Sequence, residues 1–524
     1  MAEKEELMKT YLSRTVVGTA LSCLLTLLAL LFIVLPVAAA PQAGAPDIAS
    51  IDTYISAQMQ ADRIPGVAVG IVHGSQVVHV RGFGVADATG RAVTPHTPFL
   101  LGSITKSFTA LAIMQLVEAG KINLDAPVQR YLPWFHVADL VISAHITVRH
   151  LLNQTSGMPT GAGETAALQT ETMEQFVRSL GTIALTAPVG KTFQYCNANY
   201  ITLGLLVQTV SGQDYGMYIQ QHILTPLGMQ HSFVSVQEAR RDGLAQGYHF
   251  LFGMPTPVDD PDLSYPALLP AGLLFSNAED MSHYLVAQLN GGRYNGASVA
   301  SPAAISMMQT PVTPAPILGP GASYGMGWIA GPVGGVPAVW HDGITGAFHT
   351  DMIIEPQNSW GAILLFNSFT VLAQGAYLQI EAGVARLLAG QEPSPAGLSL
   401  SANYLLLEAI LALISIGVLW SLLRLRHWSR RFEQRPRLRI LRASWRLFWE
   451  VIIPLLLLLG IPTLIGIAWT GLLYYQPDLV IWLFLICALL LITGLARVVL
   501  VVRALRRKQA EIPKMPQSPS PSLT

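Results

Sequence analysis

"GSITKSF", residues 102–108, interrupts an otherwise apolar stretch with a hydroxyl and an amine three residues apart. On a helix that spacing puts Ser103 and Lys106 on one face, within reach of each other. Lysine is seldom buried without a partner, because desolvating its charge is costly. Two readings follow. Either Ser103 caps a helix and Lys106 is solvated, or the fold brings the amine to the hydroxyl.

Two downstream signals bear on the choice. "FQYCNANY", residues 193–200, places Tyr195 two positions before Asn197, and "WHDGITGAF", residues 340–348, places His341 two positions before Gly343. Each pattern alone is weak. Their order, and the elements they fall on, make the set specific. Residues 48–60 read as a helix, and residues 67–72 and 77–83 as strands joined by a His-Gly-Ser turn. Helical patterns run from Ser103 to about Leu289. Strands return at 338–341, 348–354 and 360–366, before a final amphipathic helix at 371–388. This order predicts an α+β lobe against an all-α lobe with a cleft between them.

Composition separates the ends of the chain from its middle. The 524 residues are 51% hydrophobic and only 12% charged, where soluble domains average about a quarter charged. Mean hydropathy is +0.45. Formal net charge is zero, so no global balance favours nucleic acid. Cys23, Cys196 and Cys487 are far apart and suggest neither a disulfide framework nor a metal site.

Residues 16–37 form a nearly unbroken apolar run after Lys4, Lys9 and Arg14, long enough to span a bilayer. Ala38, Ala39 and Ala40 resemble a signal-peptidase site, followed by Pro41. Cleaved signal and retained anchor both stay open for residues 1–40. Three more candidate spans cover 404–423, 448–473 and 479–495, within a bundle at 403–510. A dense arginine segment separates the first two, and Arg503, Arg506, Arg507 and Lys508 follow the third, whereas residues 474–478 hold no cation. The positive-inside rule makes both basic segments cytoplasmic, with the 474–478 turn and the middle of the chain external. Glu408, Glu450 and Arg497 read as interfacial residues that snorkel. Residues 391–402 read as a linker, and 511–524, rich in Pro and Ser, as a disordered cytoplasmic tail.

The central segment, residues 41–390, resembles the serine β-lactamase and penicillin-binding-protein family, in the branch of class C β-lactamases, DD-carboxypeptidases and D-aminopeptidases. Beyond the three motifs, the likeness includes "LDAPVQRYLP" from Leu124, "ITVRHLLNQTSGMP" from Ile146, "ITLGLLVQTVSG" from Ile201 and "LTPLGM" from Leu224. The resemblance implies a two-lobe β-lactamase-like fold, antiparallel sheet plus helices, followed by a transmembrane bundle. It makes Ser103 the nucleophile, with Lys106 and Tyr195 as the bases. Lys106 serves only if neutral; a Lys106 cation would instead favour the Tyr195 phenolate, and the primary base stays open. The backbone N–H groups of Ser103 and Ile344 would form the oxyanion hole, with Gly343 beside them. Asn197 would bind the substrate amide. His341 stands where lactamases usually carry lysine, which favours the peptidase members. Asp342 would repel a substrate carboxylate if it faces the cleft, and strand alternation also allows the opposite orientation. Cys196 and Tyr200 read as packed rather than reactive. His96, His150, His231 and His349 lack metal-ligand spacing.

The expected activity is therefore a membrane-bound, extracytoplasmic serine hydrolase that needs no cofactor or metal and cleaves peptides or amides containing D-amino acids. The three C-terminal spans are similar to the layout of prodrug-activating D-asparagine peptidases. An esterase on the same scaffold is the alternative, as is a membrane sensor that β-lactams acylate without turnover. Partners would be a small peptide, amide or ester substrate, β-lactams as acylating inhibitors, and the lipid bilayer.

Overall fold

A computed structural model describes residues 46–162, 172–260, 263, 265–395, 397–425, 427, 445–465 and 468–510. The expectations for the N-terminal apolar run, most of the arginine segment and the C-terminal tail fall outside these residues.

Eight antiparallel strands form the main sheet. From one edge to the other they are Gln76–Gly84, Gly66–His73, Trp360–Phe366, His349–Glu355, Val336–Ile344, Ile329–Val333, Ser323–Tyr324 and Thr313–Pro314. The first strand of the chain pairs with the last, Val67 opposite Phe366, so the sheet closes the two ends of this domain together. Its central strands are buried on both faces, which explains the unbroken apolar run from Ala362 to Phe366. Alternate residues serve different cores. Val67 and Val69 join Ile51, Ile55, Ile380 and Val384 beneath the terminal helices Ile48–Asp62 and Gln374–Leu388. Ala68, Ile363 and Leu365 face Met281 and Leu285 of helix Ala278–Leu289 and the helical lobe behind it.

The central helix of that lobe is Thr105–Glu118, whose residues from Thr105 to Met114 are all buried. A helix apolar on every side belongs in a core. Its polar members are paired internally: Ser107 Oγ donates to the Ile104 carbonyl at 2.8 Å, and Thr109 Oγ1 to the Pro270 carbonyl at 2.6 Å.

Among the described residues, three helices are long and apolar enough to cross a membrane: Leu400–Leu423, Trp445–Leu464 and Pro477–Arg503. The second expected span, 448–473, is divided. Helix Ile453–Ile465 has Pro462 inside it, Ala468 is extended, and Trp469–Tyr475 forms a separate short helix. The snorkelling expected of Glu450 and Arg497 is also not what the fold does. Both are buried, and Arg497 donates to both Glu450 oxygens, at 2.8 and 2.7 Å, and to Ser421 Oγ at 3.0 Å. Side chains from all three spans thus meet in one paired polar cluster.

Sequence patterning missed the short strands at 313–333 and the hairpin Gly247–Leu251 and Met254–Val258. Their residues include Pro255, Pro257, Pro314 and Pro332, which erase an alternating strand signal.

Candidate active site

Ser103 lies in the 3-10 turn Gly102–Ile104, which leads into the buried helix. Lys106, one turn on, is fully buried, with its Nζ 2.8 Å from Ser103 Oγ and 2.7 Å from the Ala271 carbonyl oxygen. Burial holds the amine down from 10.5 to about 7, against the opposing pull of Asp342 and Cys196. That displacement corresponds to roughly 5 kcal/mol in favour of the neutral amine. The N-terminal end of the helix acts in the same direction.

The strand Val336–Ile344 passes directly against this turn. Gly102 has φ +55°, and a Cβ on it would stand 2.8 Å from the Ile344 nitrogen. A Cβ on Gly343 would in turn overlap the Leu101 carbonyl. The two glycines therefore let two backbones approach more closely than side chains permit. Thr350 Oγ1 fastens the junction by donating to the Leu101 carbonyl at 2.7 Å. The turn that holds Ser103 and the strand end that holds Ile344 are thereby in close contact.

Tyr195 lies just before helix Asn197–Ser211. Its ring centroid is 4.9 Å from Lys106 Nζ, and Ser103 is close enough to work against the upward shift of its hydroxyl. Burial, with Tyr324 nearby, pushes its hydroxyl well above 10, so the group is a neutral phenol at neutral pH. Asn197 is the exposed first residue of the helix.

His341 is fully buried, with its ring centroid 6.4 Å from that of Tyr195. Its Nδ1 lies 2.6 Å from the Asp342 carbonyl, which can only accept, so Nδ1 carries the proton. Nε2 then accepts from the Tyr324 hydroxyl at 3.3 Å. Burial and the adjacent Lys106 push His341 down to about 3, leaving a neutral imidazole.

Asp342 faces the other way. It stands opposite Asp351 in the strand register, while His341 and Gly343 stand opposite Met352 and Thr350. Cross-strand partners share a face. Asp342 therefore lies on the side of Asp351 and His349, which are themselves 2.9 Å apart and buried, and away from the side where Thr350 holds Leu101. Burial raises its carboxyl above the ordinary range. Cys196 and Tyr200 are buried beside the site.

Three contributors carry little or no signal in the sequence. Gln154, at φ +59°, accepts the Cys196 N–H on its side chain at 3.0 Å and the Gln194 N–H on its carbonyl at 2.9 Å. It brackets Tyr195 from both sides, and only the phrase "NQTSG" hints at it. Ala271 contributes a carbonyl, which no residue type announces. Tyr324 comes from a two-residue strand, next to last in the sheet.

Comparison with known proteins identifies the family. The β-lactamase family model matches residues 51–384. Protein flp of Staphylococcus aureus is 30% identical over 322 residues, 60% of this chain and 62% of the relative. An unguisins hydrolase of Aspergillus campestris is 31% identical over 323 residues, 58% of this chain and 59% of the relative. The chain thus spans less than two-thirds of the length of these curated relatives. The octameric penicillin-binding protein homologue from Pyrococcus abyssi superposes with a TM-score of 0.59 at 30% identity, covering 70% of this chain and 81% of that one. With a family match over most of its length and a serine and lysine joined in the buried turn, the chain belongs to the β-lactamase family of serine hydrolases.

Proposed function

We propose that this protein is a membrane-bound peptidase or amidase that works through an acyl-enzyme on Ser103, with its catalytic domain outside the cytoplasm. The observation that carries the reading is the fully buried Lys106 amine within hydrogen-bond distance of the Ser103 hydroxyl. A serine hydroxyl is a poor nucleophile without an adjacent base. A neutral amine accepts the Ser103 proton on its lone pair while one of its N–H groups donates to the Ala271 carbonyl.

In the acylation step Ser103 Oγ forms a bond to the substrate carbonyl carbon and its proton passes to Lys106 Nζ. The charge that develops on the carbonyl oxygen is met by the N–H groups of Ser103 and Ile344. Collapse breaks the bond to the leaving group. The Tyr195 phenol, beside Lys106, relays a proton to the departing amine and is replenished from Lys106. Water then attacks the acyl-serine by the same path in reverse.

Asn197 at the cleft edge orients the substrate amide, and His341, neutral and fixed by Tyr324, shapes the opposite wall. Asp342 acts through its strand rather than by touching substrate. Peptides and amides containing D-amino acids are the proposed substrates, and β-lactams the proposed acylating inhibitors. The relation to a fungal hydrolase supports turnover over a purely sensory role. The cation-free 474–478 turn and the basic residues beyond the third span support the orientation.

The test is release of amine from a panel of N-acyl-D- and N-acyl-L-amino acid amides and matched esters by the full-length protein, beside Ser103→Ala. Ser103-dependent amine release from the D-amides is expected. Cleavage of esters alone would overturn the amidase reading.

A further inference from the structure

The turn between the second and third spans does more than link them. Nearly every polar side chain in it is engaged with the catalytic domain. Gln476 Oε1 accepts the Leu372 N–H at 3.1 Å, and Asp478 Oδ2 accepts the Phe252 N–H at 2.7 Å. Tyr475 packs edge-on against Phe369, with centroids 5.7 Å apart. Tyr404, at the outer end of the first span, donates to the Phe250 carbonyl at 2.9 Å.

Tyr474 reaches furthest. Its hydroxyl donates to Asp260 Oδ1 at 3.1 Å. The other oxygen of that buried carboxylate accepts from Thr345 Oγ1 at 2.7 Å and from the Ala347 N–H at 3.0 Å. Residues 345–348 are the loop that follows Ile344, whose amide borders the nucleophile turn. A Cβ on Gly346 would overlap the Tyr474 hydroxyl, so only glycine admits this contact. His249 completes the grip: its Nε2 donates to the Gly346 carbonyl at 2.6 Å, and its ring lies edge-on to Tyr474 at 5.7 Å.

Resting on the function proposed above, we propose that Tyr474 and Asp260 are positioning residues, through which the membrane bundle fixes the loop that aims the Ile344 N–H at the reacting carbonyl oxygen. An oxyanion donor works only if its position is set before charge develops. Loss of the clamp lets the donor drift, and a misplacement of about 1 Å can cost on the order of a hundredfold in rate. Tyr474 touches no substrate. Its effect falls on the rate of bond formation and not on binding.

The experiment uses the full-length protein in detergent and follows labelling by a fluorescent penicillin at several concentrations, giving a limiting acylation rate and a half-saturating concentration. Tyr474→Phe keeps the ring and its packing. It is expected to lower the limiting rate about tenfold, with half-saturation changed less than about twofold and the melting temperature unchanged. In an Asp260→Ala background the same change should cost little more, because the two residues act in one chain. An unchanged limiting rate in Tyr474→Phe, or a loss matched by weaker binding and a lower melting temperature, overturns the proposal. Wild-type protein that shows no Ser103-dependent labelling refutes the functional reading first, and the clamp with it.

Discussion

Gly102 and the amide of Ile344 are in direct apposition: a Cβ on the glycine would stand 2.8 Å from the Ile344 nitrogen, at a backbone φ of +55°. The turn holding Ser103 and the strand ending at Ile344 are thus fitted to each other without a side chain between them. Gly102→Ala meets both a left-handed backbone strain of about 1–2 kcal/mol and this contact. Acylation of Ser103 by a fluorescent penicillin should fall more than about tenfold. A rate equal to wild type would show that the two backbones are not held in this register.

The buried amine also shapes stability. Lys106 titrates near 7 in the folded protein against 10.5 for an ordinary lysine. Between those values the unfolded chain binds a proton that the folded one does not, so stability rises with pH through this window. Below about 7 the folded protein carries a buried cation and its cost in full. Lys106→Met should therefore be most stabilised relative to wild type below neutrality, with the advantage shrinking toward the ordinary lysine range. Thermal melts across pH read this directly. A difference that does not vary with pH contradicts a depressed Lys106.

Asp342 shares a sheet face with Asp351, opposite to the face of His341 and Gly343. Asp342→Asn should consequently leave the ratio of KM values for amide-ended and carboxylate-ended N-acyl-D-amino acids within about twofold of wild type, since no substrate contact is removed. A sharp gain in affinity for the carboxylate-ended substrate would place this side chain in the cleft.

In the bundle, Arg497→Met leaves Glu450 buried without its bidentate partner. Breaking a buried pair from one side costs about 3–5 kcal/mol. The melting temperature of the detergent-solubilised protein should drop, and Glu450→Met in the same background should restore most of it. A single variant as stable as wild type would mean that the pair does not hold the spans together.

Much of this architecture is legible in the residues themselves. The strands at 67–72, 77–83 and 360–366 announce themselves because they are apolar and β-branched, and the structure extends the first two by one residue at each end. Ser103, Lys106, Tyr195 and His341 are legible because their chemistry is unusual for the elements that hold them, and the fold gathers them around one turn. What escapes is pairing in three dimensions. The face chosen by Asp342 depends on its register with Asp351, and alternation gives the period without the phase. Glu450 and Arg497 look like separate interfacial charges because 47 residues divide them. The Ala271 carbonyl and the positive φ of Gln154 are backbone properties, which side-chain identity does not encode. The docking of Tyr474 onto the loop at Gly346 joins two regions whose sequence patterns have nothing in common.

The central claim is that a neutral Lys106 activates Ser103, and the pH dependence of Ser103 acylation by penicillin tests it most directly. The wild-type rate should rise with pH through a single limb centred at about 7, as the amine loses its proton. His341→Gln should retain that limb, because His341 is already neutral down to about 3. Lys106→Met should abolish it along with nearly all acylation. A wild-type rate that stays flat across neutrality, or a limb that survives in Lys106→Met, would contradict the account.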